Sequence, residues 1–289
     1  MLINLVLSDW CYQSQVSCDH TCKGPDEWVD IVPMCGGTNQ SPINIVTKKR
    51  IIQNFAPLKF HGYQSPFQGL IFNNGHTVKL SLPGTATIDG GKLEDKYKAM
   101  EIHFHWGKNG GPGSEHTIDG EQYPMEMHIV HIKEKYSSVQ EATEDTSGLA
   151  VLGVFFQESG SANKNYDSII DALPNITQPS SNSSLSLASL DMLIPQKTKF
   201  YRYQGSLTTP NCSEAVIWTV FEKPVDLDVQ QLSAFSNLIF SNETAMVKTF
   251  RPVQPLNGRE VYYSGATLAS ASIILVISGF LTACWTVLD

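Results

Sequence analysis

Two short stretches limit what this chain can fold into more than any others: residues 100–106, Met-Glu-Ile-His-Phe-His-Trp, and residues 125–131, Met-Glu-Met-His-Ile-Val-His. Alternate side chains of a β-strand share a face, so Glu101, His103 and His105 point one way while Met100, Ile102, Phe104 and Trp106 point the other. The second stretch repeats the period, with Glu126, His128 and Val130 on one face and Met127, Ile129 and His131 opposite. If the two strands are neighbours, His128 joins His103 and His105 in a three-imidazole set. Three neutral imidazoles suit tetrahedral Zn²⁺ with its fourth position open to water or substrate. A lone histidine is more often a surface or hydrogen-bonded core residue. What points to a metal is H-x-H on one amphipathic strand followed by E-x-H on another.

A length of 289 residues allows one large domain or two ordinary ones, with enough apolar content for a core and against intrinsic disorder. No internal repeat or long linker divides it. The formal charge is −8, and Lys48-Lys49-Arg50 is a short solvated cluster rather than a basic stripe, which argues against nucleic acid as a partner. Short β-type runs at residues 58–60, 69–72, 77–82, 149–157, 200–203 and 215–221, separated by turn residues, predict a predominantly β, α+β domain. Residues 28–45 and the serine-rich 180–189 read as loops, 165–173 as a short helix and 229–240 as the best amphipathic helix. Asn73-Asn74-Gly75 is a tight-turn signal that presents His76 at the start of a strand.

Six cysteines stand at 11, 18, 22, 35, 212 and 284, with no C-x-x-C pair, and their spacing does not assign partners. Sequons at Asn39, Asn175, Asn182, Asn211 and Asn242 favour a chain that enters the secretory pathway. Residues 1–9 read as the remnant of a signal peptide: apolar, short and without a basic start. Residues 265–288 form an uncharged run, open to reading as a transmembrane helix, a buried helix or a removable lipid-anchor signal. Ser264-Gly265-Ala266 supplies three small residues before it, and no Lys or Arg follows it. That order favours a GPI anchor at Ser264, with residues 264–289 as the attachment signal whose hydrophobic tail is removed, and a domain spanning 10–263 at the extracellular face of the plasma membrane.

His103-Phe104-His105-Trp106, Ser114-Glu115-His116, the 125–131 stretch and Gly205-Ser206-Leu207-Thr208-Thr209-Pro210 resemble the signature blocks of the α-class carbonic anhydrases. Gln40-Ser41-Pro42-Ile43-Asn44-Ile45 and Asn73-Asn74-Gly75-His76 fall in the family's order as well, and the likeness runs from about Trp10 to about Val261. The resemblance implies a single domain around a large twisted, mostly antiparallel sheet with short peripheral helices and zinc at the foot of a cleft. It also implies reversible hydration of carbon dioxide to bicarbonate and a proton, by attack of zinc-bound hydroxide.

The resemblance assigns Zn²⁺ to His103, His105 and His128. Thr208 then orients the hydroxide while donating its own hydrogen to Glu115, and Thr209 touches substrate. Val130, Val151, Leu207, Val216 and Trp218 form an apolar wall for carbon dioxide. His76 is the proton shuttle, with Tyr12, Asn74 and Lys79 ordering its water. Glu126 and Glu101 orient His128 and His103 through their outer ring nitrogens. Likeness to the membrane-anchored branch implies disulfides Cys11–Cys22 and Cys35–Cys212, leaves Cys18 over, and makes bicarbonate transporters conceivable partners. Two departures stand out: Lys79, and Glu101 where the family usually carries glutamine. A carboxylate there makes His103 a stronger donor and predicts activity shifted to alkaline pH. A non-catalytic ectodomain of this family would lack zinc histidines, and all three are present. A zinc hydrolase of another type is disfavoured by the absence of H-E-x-x-H and G-x-S-x-G.

Overall fold

The alternation in the two histidine stretches becomes the centre of a thirteen-stranded mixed sheet in the computed structural model, which describes residues 10–16, 22–195 and 199–265. Tyr97–Trp106 and Met125–Lys133 pair antiparallel, with His128 opposite His103 and Glu126 opposite His105. Their other faces carry Ile102, Phe104, Met127 and Ile129, all fully buried in the main core. A slip of one residue would send these four into the cleft and the histidines into the core, so burial fixes the register. The register shifts between Val130 and His131, leaving Met100 as the extra residue of a bulge. Strict alternation would put Ala99 in the cleft beside Glu101; the bulge turns it into the core instead.

From one edge the sheet runs Asn182–Leu187, Phe67–Asn73, Val78–Ser81, Tyr97–Trp106, Met125–Lys133, Leu149–Ser159, Val216–Phe221, Phe200–Gly205, Tyr262–Ser264 and Ile51–Ile52. Most neighbours are antiparallel; Leu149–Ser159 runs parallel to Val216–Phe221, and Ile51–Ile52 to Tyr262–Ser264. The unbroken apolar run predicted at 149–157 is buried on both faces along residues 149–156, as a central strand should be.

Several elements differ from the sequence expectation. Residues 180–189 are not a loop. Asn182–Leu187 forms an edge strand on Phe67–Asn73, with Leu185 and Leu187 buried between outward-facing serines. Tertiary pairing there overrides a weak local β-preference. Residues 28–45 contain a helical turn, Trp28–Ile31, a 3₁₀ turn, Pro33–Gly36, and a short strand, Asn44–Ile45. The amphipathic helix is shorter than 229–240: Val229–Ala234 is α-helical and Phe235–Asn237 is a 3₁₀ turn. Its start is set by a capping box, in which Asp228 accepts from the Gln231 amide while the Gln231 side chain reaches back. Its end is drawn inward by Phe235, which packs on Phe104 and Trp106 on the core side of the first histidine strand. The 165–173 helix is α-helical over Asp167–Ala172 between two 3₁₀ turns.

Cys11–Cys22 and Cys35–Cys212 are both bonded. The domain continues one residue past 263, because Ser264 pairs with Phe200 and its Oγ accepts from the Phe55 amide. Cys18, Cys284, residues 1–9, expected to be a signal remnant, and the apolar tail beyond Gly265 lie outside the described residues. Among the described residues, no helix is long and apolar enough to cross a membrane.

On the core side of Met125–Lys133, His131 accepts from the Tyr63 hydroxyl at 2.6 Å, while its Nδ1 faces the Ile129 and Ala150 carbonyls. Burial, partly offset by those carbonyls, lowers its pKa from 6.5 to about 4. As pH falls, the unfolded chain therefore takes up this proton before the folded one. The contribution to stability is intact above pH 6.5 and declines by about 3 kcal/mol between there and pH 4. Urea unfolding over that range, with an imidazole NMR titration of His131, checks the expectation; a folded-state ring titrating near its ordinary value would contradict it.

Candidate metal centre

His103 and His105 leave one strand and His128 the next. Their inner nitrogens converge: His128 Nδ1 lies 3.1 Å from His105 Nε2 and 3.2 Å from His103 Nε2. Each outer nitrogen faces an acceptor and therefore carries the ring hydrogen. His105 Nδ1 is 2.6 Å from the Thr249 carbonyl and His128 Nε2 is 2.7 Å from Glu126 Oε1. His103 Nδ1 is 3.2 Å from Glu101 Oε1, close but not aligned as a full hydrogen bond. Three lone pairs thus point at one spot, an arrangement that repels itself unless a cation sits among them. Tetrahedral coordination with Zn–N bonds of ordinary length separates ligand nitrogens by about 3.3–3.4 Å, so the set fits the ion. Burial, reinforced by the neighbouring imidazoles, holds His105 well below its usual pKa; burial also takes His128 down to about 4, despite Glu126. Both imidazoles are neutral at physiological pH.

His116, Glu126 and His128 form a second close group. Its contacts are hydrogen bonds: Glu126 Oε1 is 2.7 Å from both His116 Nδ1 and His128 Nε2, shorter than two ligands of one metal would be. Glu126 Oε2 accepts the Glu115 and His116 amides at 2.9 and 2.8 Å. Burial alone would raise the Glu126 pKa, but its two histidine contacts outweigh it and hold the carboxyl well below the usual range. The relay continues from His116 Nε2 to the Tyr203 hydroxyl at 2.6 Å and on to Ser41 Oγ at 2.8 Å. Sequence reasoning singled out Glu126 but missed the supporting roles of His116, Tyr203 and Ser41, although two of them lie in the recognised blocks.

Glu115 is fully buried, and its Oε1 accepts the Arg251 amide at 2.8 Å. Burial raises its pKa well above normal; the Arg251 amide and the Thr208 hydroxyl pull the other way. Oε2 has no aligned donor and lies 3.3 Å from His105 Nε2. The expected Thr208–Glu115 contact is therefore approached rather than closed. Arg251 was not foreseen. Its guanidinium donates to the Gln40 side chain and to the Ser41 and Cys35 carbonyls, stitching the 35–41 turn to the gate formed by Thr208 and Glu115. Thr249 was missed for the same reason: both lie in an irregular segment with no period to read. Gly205 opens the Thr208 loop, and a side chain there would meet Ser41 Oγ at 2.2 Å, so only glycine permits the approach.

A cavity of about 290 Å³ lies in front of the imidazoles. Val130, Leu207, Thr208 and Thr209 line it, as do Tyr12, Asn74, His76 and Lys79. Val151, Val216 and Trp218, expected on the wall, are instead almost wholly buried in the cluster behind Val130 and Leu207. Alternation places them on the correct face, but they pack in one cluster with Val130 and Leu207 and do not reach the cavity. Trp10 stacks on His76 with ring centres 3.9 Å apart and planes 11° from parallel, a contact no local pattern announces. Lys79 Nζ lies 2.8 Å from Glu101 Oε2. Burial pushes the Glu101 carboxyl up, but His103 and Lys79 together bring it down to about 2.

Residues 23–265 match the family described as eukaryotic-type carbonic anhydrase. Carbonic anhydrase 4 of Mus musculus is 40% identical over 267 residues, covering 90% of this chain and 85% of the relative. Carbonic anhydrase 7 of Homo sapiens is 37% identical over 247 residues, covering 82% and 93%, and Carbonic anhydrase 12 of Homo sapiens is 37% identical over 280 residues, covering 89% and 78%. The chain therefore belongs to the eukaryotic-type carbonic anhydrase family and is an enzyme of that class.

Proposed function

We propose that this protein hydrates carbon dioxide reversibly to bicarbonate and a proton, with Zn²⁺ on His103, His105 and His128, at the outer face of a cell membrane. The observation that carries the chemistry is the convergence of three inner imidazole nitrogens, 3.1–3.2 Å between neighbours, beside a partly apolar cavity. When bound, Zn²⁺ acts as a Lewis acid that makes hydroxide available from water near neutrality, as is established for carbonic anhydrases.

The chain's own residues supply the rest. Neutral His105 and His128 leave the dication's charge undiminished, and Glu126 fixes the His128 ring. The Thr208 hydroxyl, backed by Glu115, accepts the nucleophile's hydrogen and so turns its lone pair towards the substrate carbon. Val130 and Leu207 give carbon dioxide a surface that holds water weakly, stiffened from behind by Val151, Val216 and Trp218. Thr209 contacts the departing bicarbonate. The proton leaves through water beside Tyr12, Asn74 and Lys79 to His76, whose ring is braced by Trp10.

The two formed disulfides and the exposed sequons at Asn175 and Asn182 support passage through an oxidising secretory compartment. Removal of residues 1–9 and of the apolar tail, with a GPI anchor at Ser264, completes this reading. Ser264 ends the last described strand, one strand in from the sheet edge, so the anchor would join the folded domain with almost no spacer. Bicarbonate transporters in the same membrane are the proposed partners that would consume the product.

Three measurements test this reading. Stopped-flow carbon dioxide hydration should require about one Zn²⁺ per chain, and His128→Ala should lose metal and activity together; metal-independent hydration would refute the centre. His76→Ala should slow turnover by up to about a hundredfold in weak buffer and recover in part with added imidazole, whereas an unchanged rate would remove His76 from the proton path. Phosphatidylinositol-specific phospholipase should release the protein from cells, and retention would favour a spanning helix.

A further inference from the structure

The three ligand histidines lean on unequal supports. The Thr249 carbonyl behind His105 is backbone, and the Glu126 carboxylate behind His128 is itself gripped by two amides. Glu101, behind His103, has no backbone donor among the described residues; its hydrogen-bond donor is Lys79. Val78–Ser81 pairs antiparallel with Tyr97–Trp106, setting Lys79 opposite His103 and Ser81 opposite Glu101. Lys79 therefore reaches diagonally along the cleft face, within the span a long side chain covers between such positions. Its Nζ meets Glu101 Oε2 at 2.8 Å while Glu101 Oε1 faces His103 Nδ1 at 3.2 Å. Both side chains are mostly shielded, at 27% and 20% exposed, so the pair is weakly screened.

We propose that Lys79 is a charge-compensating positioning residue: it holds the Glu101 carboxylate against His103 while cancelling the negative charge that carboxylate brings to the metal centre. This rests on the three-histidine zinc reading. A carboxylate alone would attract the dication and repel anions from the open coordination position, and a lysine alone would do the reverse. Together they add no net charge to the cleft. The alkaline shift expected from Glu101 by itself is accordingly offset in this chain.

The test is a charge cycle on the full-length holoprotein. Zn²⁺ affinity is measured by chelator competition, and anion affinity by thiocyanate inhibition of carbon dioxide hydration. Lys79→Met should tighten Zn²⁺ severalfold and weaken thiocyanate severalfold. Glu101→Gln should move both in the opposite sense. The double variant should return to within about twofold of wild type, and Lys79→Arg should stay at wild type. Single variants that both weaken Zn²⁺, or that leave both affinities unmoved, overturn the proposal while the zinc reading survives. A wild-type chain that takes up no Zn²⁺ overturns both.

Discussion

Everything at the centre depends on the pairing of Tyr97–Trp106 with Met125–Lys133. Backbone hydrogen bonds bring the strands together, but they would tolerate other registers. What selects one is the burial of Ile102, Phe104, Met127 and Ile129 on the far side, each contributing roughly 1.5–3 kcal/mol through apolar surface removed from water. With that face committed, the cleft face follows, and His128 stands beside His103. The site is thus held by the core behind it rather than by contacts among the imidazoles, whose inner lone pairs repel.

The polar shell solves a second problem, that of keeping buried groups paired while leaving the ligands neutral. Glu126 is the hub, joining His128, His116 and two backbone amides in one satisfied cluster that extends to Tyr203 and Ser41. A buried carboxylate is costly unless so surrounded. Glu101 meets the same requirement by other means, with a lysine in place of amides, because it lies near the cavity rather than beneath it. Glu115 is the least satisfied of the three, and its unpartnered Oε2 faces the centre where a dication would compensate it.

The gate shows how distant segments share one task. Arg251 ties the 35–41 turn to the Glu115 carboxylate, Cys35–Cys212 joins that turn to the Thr208 loop, and Ser41 and Ser206 hydrogen-bond across the seam. Arg251 reaches Glu115 across 136 positions and Gln40 across 211. Contacts at such separation carry no local pattern, which is why Arg251 and Thr249 were invisible until the chain was folded, and why Trp10 was not linked to His76.

Periodicity was legible where one face is buried: the alternation of residues 100–106 and 125–131 pointed to the two central strands, the three histidines and Glu126 before any coordinates, because a period of two is a local property of the backbone. Resemblance in short blocks supplied both disulfides and the expectation that Thr208 faces Glu115. The chain alone was less informative where polar composition masked a strand, as at Asn182–Leu187, or where packing cut a helix short, as after Ala234. Only the tertiary structure decided that Val151, Val216 and Trp218 support the wall from behind, and that Lys79 is spent on Glu101 rather than left facing His76. Such outcomes depend on which side chains meet across strands and loops, and no single segment encodes its neighbour.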